Sequence, residues 1–131
     1  MRILVDKEKC TGCRMCQLVC SVTKYGEFNI RRAHCNIEEG EVVPNAAEFC
    51  VQCKKPKCRE ACRFDAIEET ANEGVLTINR DKCVKCQDCI KACPFNAVYI
   101  DAREGFPMKC DLCRGESKCM AQCPFQALTV G

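Results

Sequence analysis

Sixteen of the seventeen cysteines in this 131-residue chain fall into four quartets. The first is Cys10, Cys13, Cys16 and Cys20, and the second is Cys50, Cys53, Cys58 and Cys62. The third is Cys83, Cys86, Cys89 and Cys93, and the fourth is Cys110, Cys113, Cys119 and Cys123, with Cys35 left over. Thiols this close together pair as disulfides, close a zinc site or hold iron and sulfide. The odd count and the want of an export signal remove the setting for a disulfide scaffold. A tetrahedral zinc site usually takes two C-x2-C pairs from distant points of a chain. A cubane needs three thiolates on three iron corners, and a C-x2-C-x2-C loop provides them from seven residues. The fourth cysteine, three residues on and followed by proline, turns away and serves the other cluster of a pair. Cys83 to Pro94 has this pattern in full, and the quartet starting at Cys110 keeps the terminal Cys-Pro while widening one gap. Four quartets in tandem therefore predict four 4Fe-4S clusters on these sixteen cysteines.

The elements that must position these loops follow from a repeat. Each of the last three quartets runs into a similar tail: Cys62-Arg-Phe-Asp-Ala-Ile67, Cys93-Pro-Phe-Asn-Ala-Val98 and Cys123-Pro-Phe-Gln-Ala-Leu128. One unit has been copied, and its first copy is degenerate. Short β-branched runs between quartets predict strands over Arg2 to Asp6, Ala66 to Thr70, Val75 to Ile78, Ala97 to Asp101 and Ala127 to Val130. Asn72 to Gly74 reads as a hairpin turn, and Glu38 to Glu41 as another between strands Ile30 to Ile37 and Val42-Val43. Helices fit Cys13 to Thr23 and Cys86 to Ala92, with shorter turns at Cys58 to Ala61 and Glu116 to Gln122. All are too short to persist without tertiary anchoring. The fold class is α+β, short strands, hairpins and helices wrapped around clusters.

Composition agrees. The 47% hydrophobic share counts cysteine, and Ile, Leu, Val and Phe together number only 28. A chain of this length cannot close an all-carbon core from so few, so something bound to cysteine must complete it. Twenty Lys and Arg against eighteen Asp and Glu give +2, which marks no nucleic-acid partner. No run approaches the ~18 apolar residues of a membrane span, and Asp6, Lys7 and Glu8 cut off the apolar start Ile3 to Val5. A cytoplasmic chain with no direct membrane insertion is the expectation. Four oxidised clusters with their thiolates carry about −2 each and turn the formal +2 into about −6. Lys54, Lys55, Lys57, Lys85, Lys91, Lys109 and Lys118, within or beside the quartets, would offset that charge and raise reduction potentials. No catalytic base, nucleophile dyad or dinucleotide fingerprint is found; the chain reads as a conductor with no catalysis of its own.

These motifs resemble a family, the ferredoxin-like iron–sulfur subunits with four 4Fe-4S clusters that serve molybdenum and tungsten oxidoreductases. Dimethyl sulfoxide, nitrate and formate enzymes have such subunits, as do tungsten aldehyde oxidoreductases. The resemblance rests on Cys-Thr-Gly-Cys-Arg-Met-Cys-Gln-Leu-Val-Cys-Ser at Cys10 to Ser21, Cys-Val-Gln-Cys at Cys50 to Cys53, the third quartet, and Lys-Cys-Asp-Leu-Cys at Lys109 to Cys113. It implies nested pairing: Cys83, Cys86, Cys89 with Cys62; Cys50, Cys53, Cys58 with Cys93; Cys10, Cys13, Cys16 with Cys123; Cys110, Cys113, Cys119 with Cys20. It also implies two bacterial-ferredoxin-like units, an outer one of residues 1–49 plus 102–131 around an inner one of residues 50–101. Pairing in sequence order remains the alternative. The partners implied are a large catalytic subunit bearing the molybdenum or tungsten cofactor, an aldehyde oxidoreductase being one form, and a ferredoxin or a flavin- or NAD-linked redox subunit. A free polyferredoxin serving several enzymes is a second reading, and a zinc-stabilised interaction module a third.

Departures from the family pattern are local. Arg63 and Ser21 stand where proline usually follows a terminal cysteine, so those turns lack a preset φ. The segments between quartets are short beside those of membrane-associated members, which favours a soluble complex. The neighbours His34 and Cys35 invite a catalytic reading, but with no third ligand or orienting acid a packed thiol is the plainer one. Phe64, Phe95 and Phe125 are expected to pack over clusters or strands. Gly12 is expected to let backbone N–H groups approach sulfur, or simply to make a turn.

Overall fold

The structure is a computed structural model that describes residues 2–38, 40, 46–72 and 74–131. Its strands are β1 (Ile3–Val5), β2 (Ile67–Glu69), β3 (Leu76–Ile78), β4 (Tyr99–Ile100), β5 (Pro107–Met108) and β6 (Leu128–Val130). Its helices are α1 (Met15–Tyr25), α2 (Lys57–Ala61), α3 (Asp88–Ala92) and α4 (Lys118–Gln122), with 3-10 turns at Ile30–Arg32 and Leu112–Gly115. The α+β class is as the repeat predicts.

Three two-stranded antiparallel ladders organise the chain. β1 pairs with β6, Ile3 opposite Val130 and Val5 opposite Leu128, and Arg2 and Gly131 exchange backbone hydrogen bonds of 2.9 Å beyond them. The β2–β3 hairpin sets Ile67 opposite Ile78. β4 and β5 set Tyr99 opposite Met108. Helices pair in the same nested manner, α1 on α4 and α2 on α3. Five-residue helices cannot persist alone, so these pairings and the loops that flank them hold the helices in place. The apolar core is small and sulfur-rich. Cys16, Cys35, Cys50, Cys110 and Cys119 belong to the larger core cluster beside Ile3, Val75 and Leu112. Cys58 and Cys89 belong to the smaller one beside Ile67 and Leu76.

Two expectations need correction. Residues 30–37 do not form a strand. Asn29 accepts a hydrogen bond from Arg31 N–H through its Oδ1 at 3.0 Å, a side-chain cap that starts the 3-10 turn Ile30–Arg32, and only Asn36 bridges to Glu48. The strand at β5 was not foreseen, because a two-residue strand that begins with proline leaves no alternation to read. Val42-Val43, and Glu39 and Glu41 of the turn about Gly40, lie outside the described residues, as does Glu73 of the β2–β3 turn.

A buried ion network ties the turn after α1 to the end of β4. Arg32 grips Asp101 with two hydrogen bonds of 2.9 Å, Nε to Oδ1 and Nη2 to Oδ2. Arg80 Nη2 donates to Oδ2 at 2.9 Å, and the Arg103 backbone N–H donates to Oδ1 at 2.9 Å. Asp101 is 1% exposed and Arg32 5%. Burial alone would push the Asp101 carboxyl up, but the Arg32 and Arg80 guanidiniums and backbone donors outweigh it and hold it well below the usual carboxylate range. Its stabilising contribution is therefore complete above the ~3.9 of an unfolded aspartate and is lost as pH falls below that value toward the folded one. Asp101→Ala removes the buried carboxylate, leaving Arg32 to Glu27 at 2.9 Å and Arg80 to Glu104 at 2.8 Å, and is expected to cost about 3 kcal/mol in a denaturant titration of the loaded protein at neutral pH. A loss below about 1 kcal/mol, the range of a surface pair, would contradict this account.

Candidate metal centres

The quartet loops share one backbone device. In the first C-x2-C step of each quartet, the residue before the second cysteine is left-handed: Gly12 (φ 73°), Gln52 (50°), Lys85 (62°) and Leu112 (59°). Glycine takes this conformation freely, but for Gln, Lys and Leu it costs about 1–2 kcal/mol, so the loop imposes it. The turn aims N–H groups inward. Gln52, Lys85 and Leu112 each donate their backbone N–H to the Sγ two residues earlier, on Cys50, Cys83 and Cys110, at 3.5 Å. Sequence singled out only Gly12 here, because nothing in a Gln, Lys or Leu announces positive φ.

The repeated tails carry a second device. α2, α3 and α4 end on Cys62, Cys93 and Cys123, all extended with ψ of 113°, 114° and 115°. Three residues on, Asp65, Asn96 and Gln126 are left-handed at φ 51°. That turn lets Ala66 N–H donate to Cys62 Sγ and Ala97 N–H to Cys93 Sγ, both at 3.4 Å. Proline at 94 and 124 favours the extended conformation of the cysteine before it. Cys62 adopts the same conformation before Arg63, so the loop geometry suffices without proline. The first copy differs: Cys20 sits inside α1, which runs on to a left-handed Gly26 cap, and buried Ser21 uses its hydroxyl to donate to Leu18 O and accept from Asn29 N–H.

Together these devices ring four cavities with thiols. Cys10, Cys13, Cys16 and Cys123 line site I. Cys20, Cys110, Cys113 and Cys119 line site II, with Cys35 as a fifth thiol. Cys50, Cys53, Cys58 and Cys93 line site III, and Cys62, Cys83, Cys86 and Cys89 line site IV. All sixteen quartet cysteines are thus found at one cavity each, three from one loop and the fourth from another.

The cavities follow one another. Cys16 of site I and Cys20 of site II lie one turn apart on α1. Gln52 at site III donates its Nε2 to the carbonyl of Cys110 at site II, at 2.6 Å. Cys58 and Cys93 of site III share α2 and the end of α3 with Cys62 and Cys89 of site IV. Of the seventeen cysteines only Cys13, at site I, and Cys86, at site IV, are exposed. Phe64, Phe95 and Phe125 line sites IV, III and I, yet they are 46%, 54% and 46% exposed. They shield cavity mouths and do not fill the core.

Cys35 and His34 turn out to be structural in different ways. Cys35 is 3% exposed, and the neighbouring Cys16 and Cys20 thiols, with burial, push its own thiol well above the ordinary range. It therefore links sites I and II. Burial pushes His34 down to about 4, so its ring is neutral. Its Nδ1 donates to the Lys109 carbonyl at 2.8 Å, which leaves Nε2 to accept from the Tyr25 hydroxyl at 2.7 Å. With both nitrogens committed, His34 is no general base. Because four other thiols surround each cavity, Cys35→Ser is expected to retain about sixteen iron per chain. A loss of about four would make Cys35 a ligand and displace one of the four named for site II.

The residues present fit 4Fe-4S clusters. Among the described residues no three His, Cys, Asp or Glu side chains form a group able to hold a single metal ion. The thiols stand instead four to a cavity, the donor set that the four corners of a cubane take. Burial pushes Cys110 up to about 12 and Cys89 to about 11, so free thiols at these positions stay protonated, and metal binding would have to displace those protons. The Tyr99 hydroxyl is buried without a hydrogen-bond partner among the described residues; burial, then the neighbouring Cys35, Glu48, Cys50 and Cys93, push it up.

Fold and cavities define a ferredoxin-like iron–sulfur protein. Residues 41–131 match the family described as 4Fe-4S dicluster domain, and residues 1–22 match the 4Fe-4S binding domain. The chain belongs to the 4Fe-4S dicluster family, as an electron-transfer subunit of oxidoreductase complexes. It is 34% identical over 121 residues to the polyferredoxin-like subunit of an aliphatic sulfonate oxidoreductase from Pyrococcus furiosus, covering 92% of this chain and 70% of that one. It is 32% identical over 144 residues to a subunit of the anaerobic dimethyl sulfoxide reductase from Haemophilus influenzae, covering 94% of this chain and 69% of that subunit. Among solved structures it is similar to a component of the active-site complex BamBC of benzoyl coenzyme A reductase, at 25% identity and a TM-score of 0.52, covering 98% of this chain and 75% of that one.

Proposed function

We propose that this chain carries electrons through four 4Fe-4S clusters between a catalytic subunit bearing a molybdenum or tungsten cofactor and a further redox partner, in the cytoplasm. The ligands proposed are those lining sites I to IV, in the nested arrangement. Residues 1–49 with 102–131 then act as an outer two-cluster unit and residues 50–101 as an inner one, with the β4–β5 ladder crossing their boundary. When bound, the clusters supply one-electron chemistry at potentials that the protein sets. The chain's own part is to fix sulfur positions, exclude water and aim backbone N–H groups at thiolates, which favours added negative charge and raises potential.

The observation that carries this reading is the series of four thiol-lined cavities whose most exposed cysteines, Cys13 and Cys86, stand at its first and last members. A conductor open at both ends calls for a donor at one and an acceptor at the other. Half-exposed Phe125 at site I and Phe64 and Val84 at site IV give each end an apolar contact surface. Among the described residues no helix is long and apolar enough to cross a membrane.

The test is anaerobic affinity purification of the chain from cells that make it naturally, followed by mass spectrometry and metal analysis of what accompanies it. A large chain carrying molybdenum or tungsten in equal amount is the expected result. A brown, iron-loaded monomer that reduces several enzymes would favour a free polyferredoxin. A colourless, iron-free, zinc-bearing protein would overturn both.

A further inference from the structure

Six of the seven lysines within or beside the quartets, Lys54, Lys55, Lys57, Lys85, Lys91 and Lys118, are exposed, so water and salt screen their charge. Lys109 is 3% exposed. Its Nζ donates to Gln52 Oε1 at 3.2 Å and to the Leu76 carbonyl at 3.1 Å. Both acceptors are neutral, and among the described residues no carboxylate forms an ion pair with it. A buried ammonium is expensive unless an anion answers it, and the described residues supply none. Lys109, Gln52 and Leu76 all line site III with Cys50, Cys53, Cys58 and Cys93. Gln52 is itself fixed: its Nε2 is held on the Cys110 carbonyl at 2.6 Å, which turns Oε1 toward the ammonium.

Resting on the reading of site III as a 4Fe-4S centre, we propose that the anion answering Lys109 is the cluster bound there, and that this one buried charge sets site III apart by raising its reduction potential. Four thiolates on an oxidised core leave about −2, and reduction adds another negative charge. A cation in the same low-dielectric pocket stabilises the reduced form more than the oxidised one, whereas a solvated lysine at similar distance does little. Gln52 serves as the positioning residue that keeps the ammonium facing the cavity. None of this is visible in sequence, where Lys109 is one of seven equivalent lysines.

The experiment uses the full chain, prepared anaerobically as wild type, Lys109→Met, Lys109→Arg and Gln52→Glu. Iron and sulfide are counted first, and the clusters are then titrated by potentiometry followed by electron paramagnetic resonance. Lys109→Met is expected to lower the reduction constant of one cluster at least tenfold, about 59 mV for a one-electron couple, and to leave the other three near wild type. Lys109→Arg, which keeps the charge, should stay within about threefold of wild type, about 30 mV. Gln52→Glu keeps the ammonium but sets a carboxylate on it, and should move the same cluster in the same direction as Lys109→Met. Failure of Lys109→Met alone to load site III, with Lys109→Arg fully loaded, also supports the pairing. Met and Arg variants that behave alike, in potential or in iron content, would overturn it. A wild-type chain without iron at site III would instead overturn the cluster reading on which the pairing depends.

Discussion

Cys20→Ala is expected to strip the cluster from site II, so that iron per chain falls from about sixteen to about twelve, while site III stays intact. Cys20 lies in α1 and lines a cavity with Cys110, Cys113 and Cys119, which come from the other end of the sequence. Its sulfur is oriented by the His34 backbone N–H at 3.2 Å, so alanine leaves that corner open with no thiol from its own loop to close it. Cys35 is the one other thiol at the cavity, and its nearness to Cys16 as well as Cys20 places it between sites I and II. The measurement is iron analysis joined to cluster-resolved electron paramagnetic resonance. Loss of the signal belonging to Cys50, Cys53 and Cys58 instead would replace nested pairing with pairing in sequence order.

Removing metal is expected to unfold the chain. A core of this size needs continuous apolar packing, and in both core clusters cysteines fill places that Leu or Ile would take elsewhere. Without clusters the cavities lose groups that would tie loops distant in sequence at four points, and the short helices on either side are too brief to hold themselves. Anaerobic chelation should therefore abolish the cooperative thermal transition seen by circular dichroism. A chelated chain that still melts cooperatively at the same temperature would show that the polypeptide closes its own core.

Much of this was legible in the residues. The quartets and their tails announced the clusters, and the β-branched runs gave five of the six strands. The turn residues between Thr70 and Val75 gave the β2–β3 hairpin. What the sequence hid follows from its nature. Left-handed backbone at Gln52, Lys85 and Leu112 is imposed by the loop and leaves no compositional mark. The run from Ile30 to Ile37 has strand-forming residues at both ends, but the Asn29 cap and the pull of Asp101 on Arg32 decide otherwise. Burial separates Lys109 from six neighbours of identical type, and burial depends on what the fold brings against a residue. The phenylalanines show the reverse: a spacing that reads as core places them at half-exposed cavity mouths.

If every quartet cysteine serves a 4Fe-4S centre, a count of iron and acid-labile sulfide in the anaerobically reconstituted chain will show it. About sixteen of each per chain is the predicted result, one cubane at each of sites I to IV. Eight or fewer of each in fully reconstituted protein would contradict it.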